Sequence, residues 1–299
     1  MLRFLTFLTL AFLAFSGLVA SLGAWIFLST PRPTNIRGCF TTQLYQVYLC
    51  PKDKDYARLK EISPYVQYAI IVSEDGSFYS HNGFDWFELQ QSFEKNWQEG
   101  RFARGGSTLT QQLAKNVYLT KDKSLLRKIR EAIIVVQLER DLKKDEILEK
   151  YLNVVQFGPE IFGIRKAARF YFKKTPQELN ATEAAFLAFL LPNPDKYSSS
   201  FRKKQLTKFA RAQIAEILKR MMKFKKISED EYTTSLAYLD RVFSNAPALP
   251  DEGQSELDDI SDSEIPALAP AVKAGTPPEQ DNIHIDQTDV PNEMPDIAN

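Results

Sequence analysis

From Phe4 to Ser29 the chain carries no charged residue, and Leu, Phe and Ala dominate. As a helix this run is about 39 Å long, enough to cross a hydrocarbon core of about 30 Å. A cleaved signal peptide has a shorter apolar region, about 7–15 residues, followed by a small-x-small site. Here the best such site, Ser21-Leu22-Gly23, lies inside the run. The pattern therefore predicts an uncleaved signal anchor over residues 1–30, with Trp25 as an interfacial aromatic near its far end. A chain with one N-terminal anchor and a large following domain usually exports that domain, which puts the N-terminus in the cytoplasm.

After the anchor the pattern turns periodic. Residues 61–243 read as a run of helices. Ser63-Pro64 starts one, with Tyr65, Ala69 and Val72 on one stripe. Thr108-x-x-Gln111 is a capping box before Leu109, Leu113 and Val117. Ser124 precedes a long helix with Leu125, Ile129, Ala132, Ile133 and Val136. Ile147, Leu148, Tyr151, Leu152 and Val155 mark another. Asn180-x-x-Glu183 opens the very apolar Ala184–Leu191, which Pro192 ends. Two more helices are expected around Leu206–Met222 and Asp230–Val242, the latter behind a Ser228-x-x-Glu231 box. No series of alternating positions marks a sheet, so the fold class is mainly α. Between anchor and helices, residues 31–60 read as an extracytoplasmic linker holding Cys39 and Cys50, the only two cysteines. Phe40–Leu49 suits a small hairpin. In an oxidising compartment the two cysteines can close a disulfide; facing the cytosol they would be two partly buried thiols.

Composition changes this picture at the far end. Residues 244–299 hold eight prolines, thirteen acidic residues, one lysine and no aromatic. Such a segment cannot bury enough apolar surface to offset its ordering entropy, and a disordered acidic tail is expected. The 38 basic and 38 acidic residues of the whole chain cancel. Without the tail, residues 1–243 carry 37 basic and 25 acidic side chains, a net of +12 against −12 in the tail. The neutral total conceals a basic body suited to anionic lipid and phosphate, and an acidic segment able to compete for it.

Three polar clusters carry candidate chemistry. The first runs from Ser73 to Gly83 and contains Glu74, Asp75, Phe78 and His81. Glu74 falls at the C-terminal end of a predicted helix, where the helix dipole disfavours a carboxylate. Partial burial would raise its pKa further, as a general base requires. A solvated helix end before a glycine turn is the simpler reading of these residues alone. The second cluster runs from Arg104 to Asn116 and contains Gly105, Gly106, Ser107, Thr108, Gln111, Gln112 and Lys115. Two glycines before a helix N-terminus can cradle an anion, with Lys115 one turn beyond Gln111. An ordinary loop and cap would look the same. It is not a P-loop, because no Gly-Lys-Ser/Thr follows. In the third, Arg127 and Lys128 lie four and three residues before Glu131, so both cations neighbour it and keep it ionised. Taken alone this is a solvated helix face.

The three clusters in this order, followed by Lys144-x-Glu146-Ile147-Leu148-Glu149-x-Tyr151-Leu152-Asn153, resemble the peptidoglycan glycosyltransferases. These are the family 51 modules of penicillin-binding proteins and of monofunctional enzymes. Phe157-Gly158, Phe162-Gly163-Ile164, Tyr171-Phe172 and Glu183-Ala184-Ala185 also fit, and the resemblance covers about residues 55 to 222. It implies a lysozyme-like helical domain outside the inner membrane, polymerising lipid II with inversion to a β-1,4 glycan. It implies Glu74 as general base on the acceptor hydroxyl. Glu131 would lie on the donor side, with a divalent ion, Mg2+ or Mn2+, shared with the pyrophosphate. Lys115, Arg127 and Lys128 would hold that pyrophosphate, and Ser107, Gln111 and Gln112 would line the cleft. Asp75, Phe78, His81, Arg104, Gly106, Thr108 and Asn116 complete the implied substrate-binding set.

The chain departs from the family pattern at Gly76-Ser77, where many relatives carry a basic or larger residue, and at Pro159-Glu160, where glycine or small residues are common. Tyr197-Ser198-Ser199 lacks the usual Asn-Pro after its tyrosine. No transpeptidase region follows, so a monofunctional enzyme is expected. Its implied partners are lipid II, the growing strand, the membrane, and penicillin-binding proteins or other division and elongation proteins; nucleic acid is excluded by export. A lysozyme-like hydrolase needs no pyrophosphate site, so the basic cluster argues against it. An inactive scaffold would not need Glu74 and Glu131.

Overall fold

The apolar N-terminal run folds as one unbroken helix, α1 (Leu2–Ser29), in a computed structural model that describes residues 2–99, 106–122, 124–202 and 206–244. Its span Phe4–Ser29 is long and apolar enough to cross a membrane, and its central stretch is not buried against the body. The expected hairpin forms from β1 (Phe40–Thr41) and β2 (Tyr48–Leu49), and Cys39 and Cys50 are disulfide-bonded at its base. The segment expected as a linker is built into the body. Ile36, Leu49, Tyr56, Ala57 and Ile62 are buried in the common core, because each is an apolar side chain with a helix surface to cover.

The body is mainly α, as the periodicity predicts. Its helices are α2 (Pro64–Glu74), α3 (Trp86–Glu99), α4 (Leu109–Tyr118), α5 (Leu125–Asp141) and α6 (Lys144–Val154). A two-stranded hairpin, β3 (Gln156–Gly158) with β4 (Ile161–Phe162), precedes α7 (Ile164–Phe172). Then come α8 (Ala181–Leu190), α9 (Pro194–Arg202), α10 (Lys208–Lys223) and α11 (Glu229–Ser244). Every residue of α8 is buried. A helix apolar on all sides can only be central, and α2, α9, α10 and α11 pack around it. A second group, α4 with α5 and α6, meets the C-terminal end of α2 through hydrogen bonds from α4 to Glu74 and Asp75.

The caps explain the helix starts. Thr108 Oγ1 accepts from the Gln111 amide, Ser124 Oγ from the Arg127 amide, and Asn180 Oδ1 from the Glu183 amide. Each cap is worth about 1 kcal/mol. Ser63 is different. Its hydroxyl donates to the Leu179 carbonyl at 2.7 Å, so it ties α2 to the start of α8 rather than capping α2. Three helices go beyond the expected set: α3, α7 and α9. The turn between β3 and β4 places Glu160 at φ +58°, the left-handed region that glycine occupies more cheaply by about 1 kcal/mol. That accounts for the glycine common there in the family pattern. Of the expected tail, 244–299, Ser244 ends α11 and residues 245–299 lie outside the described residues.

Candidate active site

Glu74 is the last residue of α2, and it is half-buried, with part of its surface still open. Burial, with a smaller contribution from the neighbouring Asp75 charge, raises its pKa from the ordinary 4.5 to about 7. A hydrogen bond from Gln112 Nε2 at 2.9 Å opposes the rise. Gln112 is itself fixed, because its Oε1 accepts from the Tyr151 hydroxyl at 3.0 Å. Tyr151 is fully buried, and burial together with Glu74 and Asp75 holds its phenol far above the usual range, so it stays a donor. The chain Tyr151–Gln112–Glu74 fixes one carboxylate oxygen, Oε2.

Asp75 faces the other way. Its Oδ2 accepts the Leu109 amide at the first turn of α4, and its Oδ1 lies 2.9 Å from His81 Nε2. His81 Nδ1 accepts the Gly83 amide at 3.1 Å, which puts the ring proton on Nε2 and makes that nitrogen the donor to Asp75. Thr108 Oγ1 donates to the Gly83 carbonyl at 2.7 Å. Gly83 has φ +91°, and a Cβ there would come within 2.5 Å of Val135 Cγ1 on α5. So Asp75, His81, Gly83 and Thr108 form a knot joining the C-terminal end of α2 and the N-terminal end of α4 against the flank of α5.

Several residues expected to touch substrate belong to this support. Phe78 is fully buried, with the Lys144 ammonium 4.6 Å above its ring. Asp75 and Thr108 are buried in the knot. The Gln111 side-chain oxygen accepts the Thr108 amide, completing the capping box, so it is Gln112 and not Gln111 that reaches the base. Asn116 is held through its backbone, where its carbonyl accepts the Leu44 amide at 3.3 Å. Ser107 is exposed at the mouth, and Gly106 lies against Ser92 and Leu89 of α3, where a side chain would crowd. Arg104 lies outside the described residues. Glu139 went unnoticed in the sequence. It accepts from Thr110 and Lys144 at 2.5 and 2.8 Å, fixing α4 to the α5–α6 corner. Tyr151 was visible in the fourth motif, but its contact with Gln112 comes from packing alone.

One turn further along the same face of α4, Lys115 gathers with Arg127, Lys128 and Glu131 of α5. Glu131 is 2% exposed, with Oε2 3.1 Å from Arg127 and Oε1 in close contact with Lys128. Partial desolvation lowers the Lys115 pKa; Arg127 and Lys128 lower it further, and Glu131 opposes them. Three cations around one carboxylate leave an excess of positive charge. Arg127 and Lys128 also occupy the first turn of α5, where the helix dipole disfavours cations. Arg127 Nε is buried with no acceptor among the described residues. The arrangement is incomplete without an anion. It does not fit a resident divalent ion at Glu131: both carboxylate oxygens are engaged by cations, and among the described residues no cluster of three His, Cys, Asp or Glu forms.

A helical body carrying a half-buried carboxylate of raised pKa beside three cations that share one carboxylate, behind a helix apolar and long enough to cross a membrane, fits the class of group-transfer enzymes that act on an anionic substrate. Comparison gives the family. The model of the Transglycosylase family matches residues 42–222, and the chain belongs to it. A biosynthetic peptidoglycan transglycosylase of Acinetobacter baylyi is 44% identical over 150 residues, covering 50% of this chain and 67% of that one. One from Methylobacillus flagellatus is 41% identical over 156 residues, covering 52% and 68%. One from Aromatoleum aromaticum is 49% identical over 140 residues, covering 47% and 61%.

Proposed function

We propose that this protein is a membrane-anchored peptidoglycan polymerase, transferring the growing undecaprenyl-pyrophosphate-linked glycan onto lipid II. The single observation that carries the reading is how one helix joins the two halves of the cleft. Gln112 holds the base and Lys115 belongs to the cation cluster, three residues apart on α4. Neighbours at that spacing have Cβ atoms about 5–6 Å apart, roughly the width of a sugar ring.

In the reaction, ionised Glu74 takes the proton from the 4-hydroxyl of the lipid II sugar. That oxygen attacks C1 of the donor sugar as the bond from C1 to the pyrophosphate breaks. The leaving pyrophosphate departs with the electron pair toward Lys115, Arg127 and Lys128, and Glu131 keeps the two α5 cations in place. Attack opposite the leaving group converts the α-linked donor into a β-1,4 glycan. A pKa near 7 suits the base, because it is ionised for much of the time yet basic enough to draw the proton. The Cys39–Cys50 disulfide supports an oxidising compartment outside the cytoplasm. Exposed Trp86, Phe93 and Trp97 on α3 support work at a lipid surface.

The test is incubation of the full chain with lipid II in membranes. Polymer should form, and Glu74→Gln should abolish it with the helical circular dichroism unchanged. Fragments released from finished glycan with no polymer, or a Glu74→Gln enzyme near the wild-type rate, would overturn the assignment.

A further inference from the structure

The anchor is clamped to the helix that carries the cation cluster. At the end of α1 the Ser29 hydroxyl accepts from Arg130 Nη2 at 3.2 Å. The guanidinium of Arg130 also lies 5.8 Å from the ring centroid of Trp25, one turn earlier in α1. Arg130 Nε is buried with no hydrogen-bond partner among the described residues, so the ring face and the hydroxyl are what its charge meets there. Thr30 follows, buried, with its hydroxyl on the Ile26 carbonyl at 2.7 Å. The chain then runs through Pro31, Pro33 and the buried Ile36 to a second fastening. There Arg37 donates to Glu146 Oε1 at 2.9 Å and to the Asp141 carbonyl at 2.7 Å, at the corner between α5 and α6. The connection is strapped to α5 at both ends, leaving the body little freedom to swing on its anchor.

We propose that Arg130 is a positioning residue that sets the height of the cation cluster over the bilayer. Arg130 lies one residue before Glu131 and three after Arg127, within about 4.5 Å along the axis of α5. It points to the anchor while its neighbours point into the cleft. Trp and Arg side chains settle at the headgroup level of a membrane. The clamp therefore holds Arg127, Lys128 and Glu131 at that level. A pyrophosphate on a polyprenyl chain rests at the same depth, so the cluster meets it without drawing the lipid out or pushing the body in. This inference rests on the proposed polymerase reading.

The test uses the full chain in lipid vesicles, with long-chain polyprenyl substrate and with a short-chain, water-dispersed analogue. Polymerisation by the unaltered protein is the control, and its absence would speak against the polymerase reading rather than the clamp. Arg130→Ala should raise KM for the long-chain substrate about fivefold, the scale of one cation–π contact with a hydrogen bond. Arg130→Lys should recover part of the loss. Trp25→Ala should do similar damage, and the double variant should be no worse than either single one. With the short-chain analogue all variants should match the wild type, because the cleft itself is untouched. A wild-type KM for Arg130→Ala on the long-chain substrate, additive losses, or equal losses on both substrates would overturn the clamp.

Discussion

Glu74 gathers most of the chemistry into one titration. Its folded pKa is raised from 4.5 to about 7, so the fold favours the protonated form. Two consequences follow with opposite signs. As the proposed base it must be ionised, and kcat/KM should fall as pH drops through about 7, a profile measurable by initial rates between pH about 5.5 and about 8.5. As a buried acid it destabilises the fold once ionised. That contribution to stability is whole below about pH 4.5 and is lost as pH rises through 7. Glu74→Gln should therefore raise Tm at pH 8 by about 2–4 °C while removing activity. An unchanged or lower Tm would mean that the carboxyl is not strained by burial. Tyr151→Phe probes the relay behind it. Without the phenol, Gln112 is free to turn its oxygen toward the carboxylate. We expect kcat about tenfold lower and an acidic limb moved to higher pH. A profile superimposable on the wild type would sink the relay.

At the scale of elements, the site depends on two helix ends, of α2 and α4, meeting the flank of α5 at Gly83. An alanine there must adopt φ +91° and displace Val135, so Gly83→Ala should cost about 2 kcal/mol in urea or thermal unfolding. A stability within about 0.5 kcal/mol of wild type would show that the junction yields. Much of this level was readable in the sequence. The boxes at Thr108, Asn180 and Ser228 mark helix starts because a cap is a local interaction. The helix α3 was not readable, since Trp86, Phe87, Phe93 and Trp97 stay exposed and the usual link from apolar residue to core fails there. Glu74 and Asp75 show the same limit within the site. The motif marks both carboxylates, yet only packing decides that one meets Gln112 and the other ties α2 to α4. Phe78 reads as a contact residue for the same reason, and the core claims it.

On the scale of the whole molecule, charge is divided between a basic body and the acidic residues 244–299. Deleting those residues should raise binding to anionic vesicles at low salt, with the difference shrinking above about 0.3 M as screening sets in. Equal binding at low salt would show that the acidic segment does not compete with lipid for the body. The strapped anchor and the single helix α4 give the molecule a further property. Gln112 and Lys115 belong to one short, capped helix, so the interval between where a proton leaves and where a charge departs is set by helical pitch. No hinge has to close to create it. On the proposed reading the site is a gauge of fixed length, and in each cycle of polymerisation it is the sugar strand, not the protein, that must take the step.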